Sequence, residues 1–111
     1  MKKILIFVAL VMALSLVAGC YNTDKKDTTA TETNSVEIKD FAFNPATINI
    51  KAGTVVTWTN KDAAKHTVKL DEIESPSLAK GQSWSYSFTT PGTYNYICGL
   101  HPSMQGKIIV E

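Results

Sequence analysis

The chain has 111 residues, which fits one small domain. Eleven lysines stand against ten acids and there is no arginine, so no basic field marks a nucleic-acid partner and no charge excess marks a strongly charged one. With two histidines and two cysteines, the residues that could carry metal or nucleophile chemistry are few.

Residues 1–20 read MKKILIFVALVMALSLVAGC: two lysines, an uncharged and mostly apolar run from Ile4 to Gly19, then a cysteine. Charge, a short apolar run and small residues form the layout of an export signal. The run is shorter than the roughly 20 residues a membrane-spanning helix needs. Its ending, LVAGC, resembles the bacterial lipobox, where cleavage precedes a cysteine that becomes lipid-modified. That resemblance implies a signal peptide over 1–19 and a lipidated Cys20 as the mature N-terminus. The protein would then be anchored on the extracytoplasmic side of a membrane, in the periplasm or at the cell surface. Stable anchoring takes more than one acyl chain. A Cys20–Cys98 disulfide is the competing use of the two cysteines. It would constrain little, because Cys20 lies at the processing site ahead of a polar stretch. With Cys20 lipidated, Cys98 is an unpaired thiol in an oxidising compartment, and burial or a metal would protect it.

The stretch from Tyr21 to Asn34, YNTDKKDTTATETN, is polar and threonine-rich and cannot bury enough surface to fold alone. Residues 20–34 are therefore expected to be a flexible linker, with a mean reach of roughly 20 Å. From Ser35 the pattern has a period of two. Val36 and Ile38 share a face, as do Ile48 and Ile50, then Val56, Trp58 and Asn60. SWSYSF alternates Trp84, Tyr86 and Phe88 with serines, GTYNYIC puts Tyr94, Tyr96 and Cys98 on one side, and GKIIVE does so with Ile108 and Val110. Such alternation means strands with one buried face. The segments FNPAT, KAGT, AKGQ and TTPGT supply turns between them. The expected fold of 35–111 is an all-β, antiparallel sandwich.

Cys98, His101 and Met104 are spaced C-x2-H-x2-M on a loop between two strand patterns. Gaps of two in a tight loop can turn three side chains to one point. Thiolate, imidazole and thioether together favour copper, whereas zinc gains little from a thioether. The one other histidine, His66, follows the Trp58 strand and could reach the same end of a sandwich. Two histidines, a cysteine and a weak axial methionine make the blue-copper set. Taken singly, each has a plainer reading, as a core thiol, a structural imidazole or a core methionine.

The segment from Phe41 to Glu111 resembles the single-domain cupredoxins, within them the amicyanin, plastocyanin and pseudoazurin group. VVTWTNKDAAKHTV resembles the segment bearing the first histidine ligand, and GTYNYICGLHPSMQGKIIVE resembles the ligand loop, with a proline after the histidine. The resemblance implies a Greek-key β-sandwich holding one type 1 copper. It makes His66, Cys98 and His101 the equatorial ligands and Met104 the axial one. It also implies that Asn60 ties the His66 loop to the Cys98 loop; on sequence alone Asn60 reads equally as a solvated turn residue. Lys65 stands where amicyanins often have proline, Thr67 where they have asparagine, and the stretch between His66 and Trp84 is shortened.

Four protein ligands leave no open position for substrate, and no nucleophile–base pair or second copper centre is in sight. The expected function is one-electron transfer by a membrane-tethered monomer between a redox protein donor and acceptor, not enzymatic catalysis. Electrons are expected to pass through His101, with Leu100 and Pro102 beside it as candidate docking residues. A copper-delivery lipoprotein and a structural sandwich without copper are the alternatives.

Overall fold

The computed structural model describes residues 30–111. The expected signal peptide (1–19), Cys20 and most of the expected linker lie outside the described residues. Among the described residues there are ten strands: β1 (Thr31–Glu32), β2 (Ser35–Ile38), β3 (Phe43–Asn44), β4 (Thr47–Ile50), β5 (Thr54–Asn60), β6 (Lys69–Leu70), β7 (Ile73–Glu74), β8 (Ser83–Phe88), β9 (Gly92–Ile97) and β10 (Gln105–Val110). One sheet has the order β1-β4-β10-β9-β6-β7 and the other β3-β2-β5-β8.

The alternation in the sequence becomes the inside and outside of this sandwich. On β5, Val56, Trp58 and Asn60 are buried between half-exposed threonines, and β2 buries Val36 and Ile38 in step with it. Each buried valine or isoleucine contributes about 1.5–3 kcal/mol relative to exposure. On the outer face, Thr57 and Thr59 of β5 hydrogen-bond Ser85 and Ser83 of β8, each pair at 2.8 Å. The sheets meet through aromatic rings. Trp58 stands edge-on to Tyr96 of β9 at 5.4 Å between centroids, and Phe43 meets the same ring at 4.6 Å. Burial pushes the Tyr96 hydroxyl well above its ordinary pKa. Gly106 of β10 lies opposite Tyr96, and a Cβ there would overlap the tyrosine ring. The glycine is thus the space in which the ring lies.

The all-β sandwich is as the sequence predicts, with three differences. The sheets are mixed rather than wholly antiparallel: β2 runs parallel to β5, and β4 runs parallel to both β1 and β10. A two-residue period fixes the buried face of a strand and carries no information on its direction. Of the Trp84, Tyr86 and Phe88 face, Phe88 alone is buried. β8 is an edge strand, and Trp84 and Tyr86 stack on each other at 5.6 Å, half covered. Lastly, Thr31 and Glu32, expected in the linker, pair with β4, and Asn34 bonds the backbone of Val55 and Thr57. Among the described residues, strand pairing thus includes Thr31 and Glu32, ahead of Ser35.

The fold places two loops together. Two residues beyond the Trp58–Tyr96 contact, β5 delivers Asn60 and the chain leaving β9 delivers Cys98, both completely buried.

Candidate metal centre

Between β9 and β10 the chain makes a closed loop from Cys98 to Met104. The Cys98 amide donates to the Met104 carbonyl (3.2 Å), His101 to the Cys98 carbonyl (3.2 Å) and Met104 to the His101 carbonyl (2.9 Å). Cys98, His101 and Met104 are thus the three residues that the loop's own hydrogen bonds hold. Cys98 and Met104 are buried and His101 is half-buried, while Leu100 is 51% exposed and Pro102 is exposed beside it.

His66 is held from both sides. Its backbone pairs with Leu78, with His66 N–H to the Leu78 carbonyl at 3.2 Å and the reverse bond at 2.8 Å. Its ring is completely buried, and Nε2 lies 2.9 Å from Asp62 Oδ2. An Nε2–H donated to that carboxylate leaves Nδ1 with its lone pair free, the form in which imidazole binds a metal. Asp62 also accepts the backbone amides of Asp40 (2.8 Å) and Phe41 (2.9 Å). Burial raises the Asp62 pKa, but those two amides and His66 outweigh it and hold it below the ordinary aspartate value. Phe41, so anchored, meets both imidazoles edge-on, each at 5.0 Å between centroids.

The donor atoms converge. Cys98 Sγ lies 3.6 Å from His66 Nδ1 and 3.7 Å from His101 Nδ1, and donor atoms of the three residues all lie within 4.8 Å of one another. Metal–nitrogen bonds of about 2.0 Å and metal–sulfur bonds of about 2.3 Å, opened to a trigonal or tetrahedral angle, separate N and S by roughly 3.5–3.8 Å. The three side chains therefore fit one ion. Soft sulfur with two imidazoles suits copper.

The sequence predicts this meeting of His66, Cys98 and His101, and Met104 is buried on the same loop. Asn60 does something other than the resemblance implies. Its side chain donates to the carbonyls of Ala64 (2.9 Å) and Leu78 (2.8 Å) and accepts from the Asp62 amide (2.8 Å). It shapes the His66 loop and joins it to Leu78, with no bond to the Cys98 loop, because its carbonyl is turned toward Asp62. The link between loops belongs to Thr67, whose amide donates to Cys98 Sγ at 3.4 Å and whose hydroxyl accepts the Gly99 amide at 2.9 Å. The sequence patterns above do not single out Asp62, Phe41 or Thr67 as parts of the site. For Asp62 a signal existed: a carboxylate four residues before a candidate ligand histidine.

A profile of the cupredoxin-like domain family matches residues 5–110. The chain is a cupredoxin. Over 83 residues it is 42% identical to amicyanin-alpha of Methylorubrum extorquens, a match covering 68% of this chain and 70% of that protein. Over 84 residues it is 38% identical to plastocyanin of Scenedesmus fuscus, covering 62% of this chain and 86% of that one. The solved structure of the copper(I) form of a mutant amicyanin superposes with a TM-score of 0.69 at 35% identity, covering 74% of this cupredoxin and 85% of that chain.

Proposed function

We propose that this cupredoxin is a type 1 copper electron carrier, tethered to a membrane through a lipidated Cys20 on the extracytoplasmic side. His66, Cys98 and His101 would hold the copper as strong ligands, with Met104 as a weaker fourth. The observation that carries this reading is the spacing of Sγ from the two Nδ1 atoms, 3.6 and 3.7 Å, in a pocket closed by backbone hydrogen bonds. Bound copper supplies a one-electron couple between Cu(I) and Cu(II).

The residues do the rest. Asp62 keeps the His66 ring oriented, and the Thr67 amide partly neutralises the Cys98 thiolate. The 98–104 loop bonds fix His101 relative to Cys98, so little has to move when charge changes. Four protein ligands would leave bound copper no position for a substrate, which favours a carrier over an enzyme. Its partners are a redox protein donor and acceptor. Exposed Leu100 and Pro102, flanking half-buried His101, offer them an apolar approach.

Copper(II) titration of the purified protein tests this, read by visible absorption and EPR. The expected result is an intense thiolate-to-copper band with narrow hyperfine splitting, at one copper per chain, abolished by Cys98→Ser. A colourless protein, or a tetragonal copper signal that survives Cys98→Ser, would refute it.

A further inference from the structure

The hairpin β6–β7 brings a carboxylate to the back of the Cys98 loop. Glu74 Oε2 accepts the Thr67 hydroxyl at 2.8 Å. The same hydroxyl accepts the Gly99 amide at 2.9 Å, and the Thr67 backbone amide points at Cys98 Sγ, 3.4 Å away. Thr67 is buried, so both functions of its hydroxyl, as donor and acceptor, are satisfied within the protein. The hairpin is pinned to the same segment a second time, by Ser75 N–H to the Val68 carbonyl (2.9 Å) and Val68 N–H to Ser75 Oγ (3.0 Å). Gly99 completes the arrangement. A Cβ at that position would overlap the Glu74 carboxylate and stand 2.9 Å from Thr67 Oγ1. Threonine after the histidine ligand, glycine after the cysteine and glutamate on the hairpin thus meet at one point.

We infer that Glu74 is a positioning residue for the metal thiolate: through Thr67 it fixes the amide that donates to Cys98 Sγ and thereby sets the reduction potential. This rests on the copper reading above. Two effects of Glu74 would oppose each other. An N–H donor to sulfur favours the reduced state, in which sulfur carries more negative charge, so losing it lowers the potential. A nearby negative charge favours the oxidised state, so losing the charge raises the potential. Glu74 is solvent-exposed, where water and salt screen its charge. The hydrogen-bonded link therefore dominates, and the sign of the change separates the two.

The test is a redox titration of the copper-loaded full chain against a couple of fixed potential, for Glu74→Ala and Glu74→Gln. Amide exchange of Thr67 and Gly99 is followed in the metal-free proteins. Glu74→Ala should shift the copper equilibrium severalfold toward the oxidised form (a tenfold shift equals 59 mV for one electron) and move the thiolate-to-copper band. It should also quicken exchange at both amides by about tenfold. Glu74→Gln keeps an oxygen acceptor for Thr67 and should stay within about twofold on each measure. A shift toward the reduced form in both variants would overturn the inference in favour of simple charge. Unchanged exchange and potential in Glu74→Ala, or quickened exchange with an unchanged potential, would overturn it as well. A wild-type chain that bound no copper would strike the functional reading and not the Glu74–Thr67–Gly99 link, which the exchange rates report without metal.

Discussion

Phe41 stands edge-on to His101 with ring centroids 5.0 Å apart, and meets His66 at the same distance, the two imidazoles themselves lying 4.9 Å apart. Neither the β2 strand before it nor the β3 strand after it would place it there. Asp40 and Phe41 both have φ of 55°, a left-handed conformation costing about 1–2 kcal/mol per residue. The two amides donated to Asp62 offset that cost, since hydrogen bonds to a charged acceptor contribute about 1.5–3 kcal/mol each. One carboxylate thus sets both the His66 ring and the aromatic cover over the two imidazoles.

Replacing Phe41 by alanine should uncover the imidazoles while leaving their backbone supports in place. Because the ring is already 51% exposed, the stability cost should be modest, about 1 kcal/mol. Copper should instead be lost faster: stopped-flow transfer of copper(I) to a chelator is expected to quicken severalfold. An unaltered rate would mean that Phe41 does not guard the site.

Asp62→Ala removes three hydrogen bonds at once and frees the His66 ring to turn. Loss of such an outer partner of a ligand histidine typically costs 10–100-fold in metal affinity. Competition with a chelator of known affinity should show a loss in that range. Affinity equal to wild type would assign Asp62 to loop structure alone.

Leu100→Asp places a charge on the exposed rim beside His101 without touching a donor atom. Electron exchange with a redox partner should slow by roughly tenfold, the scale of losing one good apolar contact. The visible spectrum should be unaffected. If the rate were unchanged, docking would have to lie elsewhere on the surface.

Gly106→Ala tests the core beneath the site. The added methyl overlaps the Tyr96 ring, and overpacking of this kind costs about 1–3 kcal/mol. Urea denaturation of the metal-free protein should show a lower midpoint with an unchanged slope. Equal stability would mean the Tyr96 ring has room to shift.

Much of this was readable along the chain, for a physical reason. Val36, Ile38, Val56, Trp58, Ile108 and Val110 are buried where the two-residue period puts them. Cys98, His101 and Met104 declare themselves because all three sit on one short loop of unusual chemistry, and His66 because no other histidine remains. Hidden from a linear reading are contacts made by residues of common type from distant positions. Asp62 bonds Phe41 across 21 residues, and Thr67 meets Cys98 Sγ across 31. Aspartate, phenylalanine, threonine and glutamate occur everywhere, and only the folded loops give them these partners. Strand direction was hidden as well, since β2 and β5 bury the same faces whichever way they run.

The hydrogen bonds within the 98–104 loop and between His66 and Leu78 run from backbone to backbone and use none of the three donor atoms, which stand at ligand spacing. Such a scaffold should need no metal to form, and copper should enter without folding anything around itself. Its arrival should bury almost no new apolar surface, so calorimetric titration at several temperatures should give a binding heat that hardly changes with temperature. The free energy of coordination then appears undiminished as thermal resistance of the loaded form.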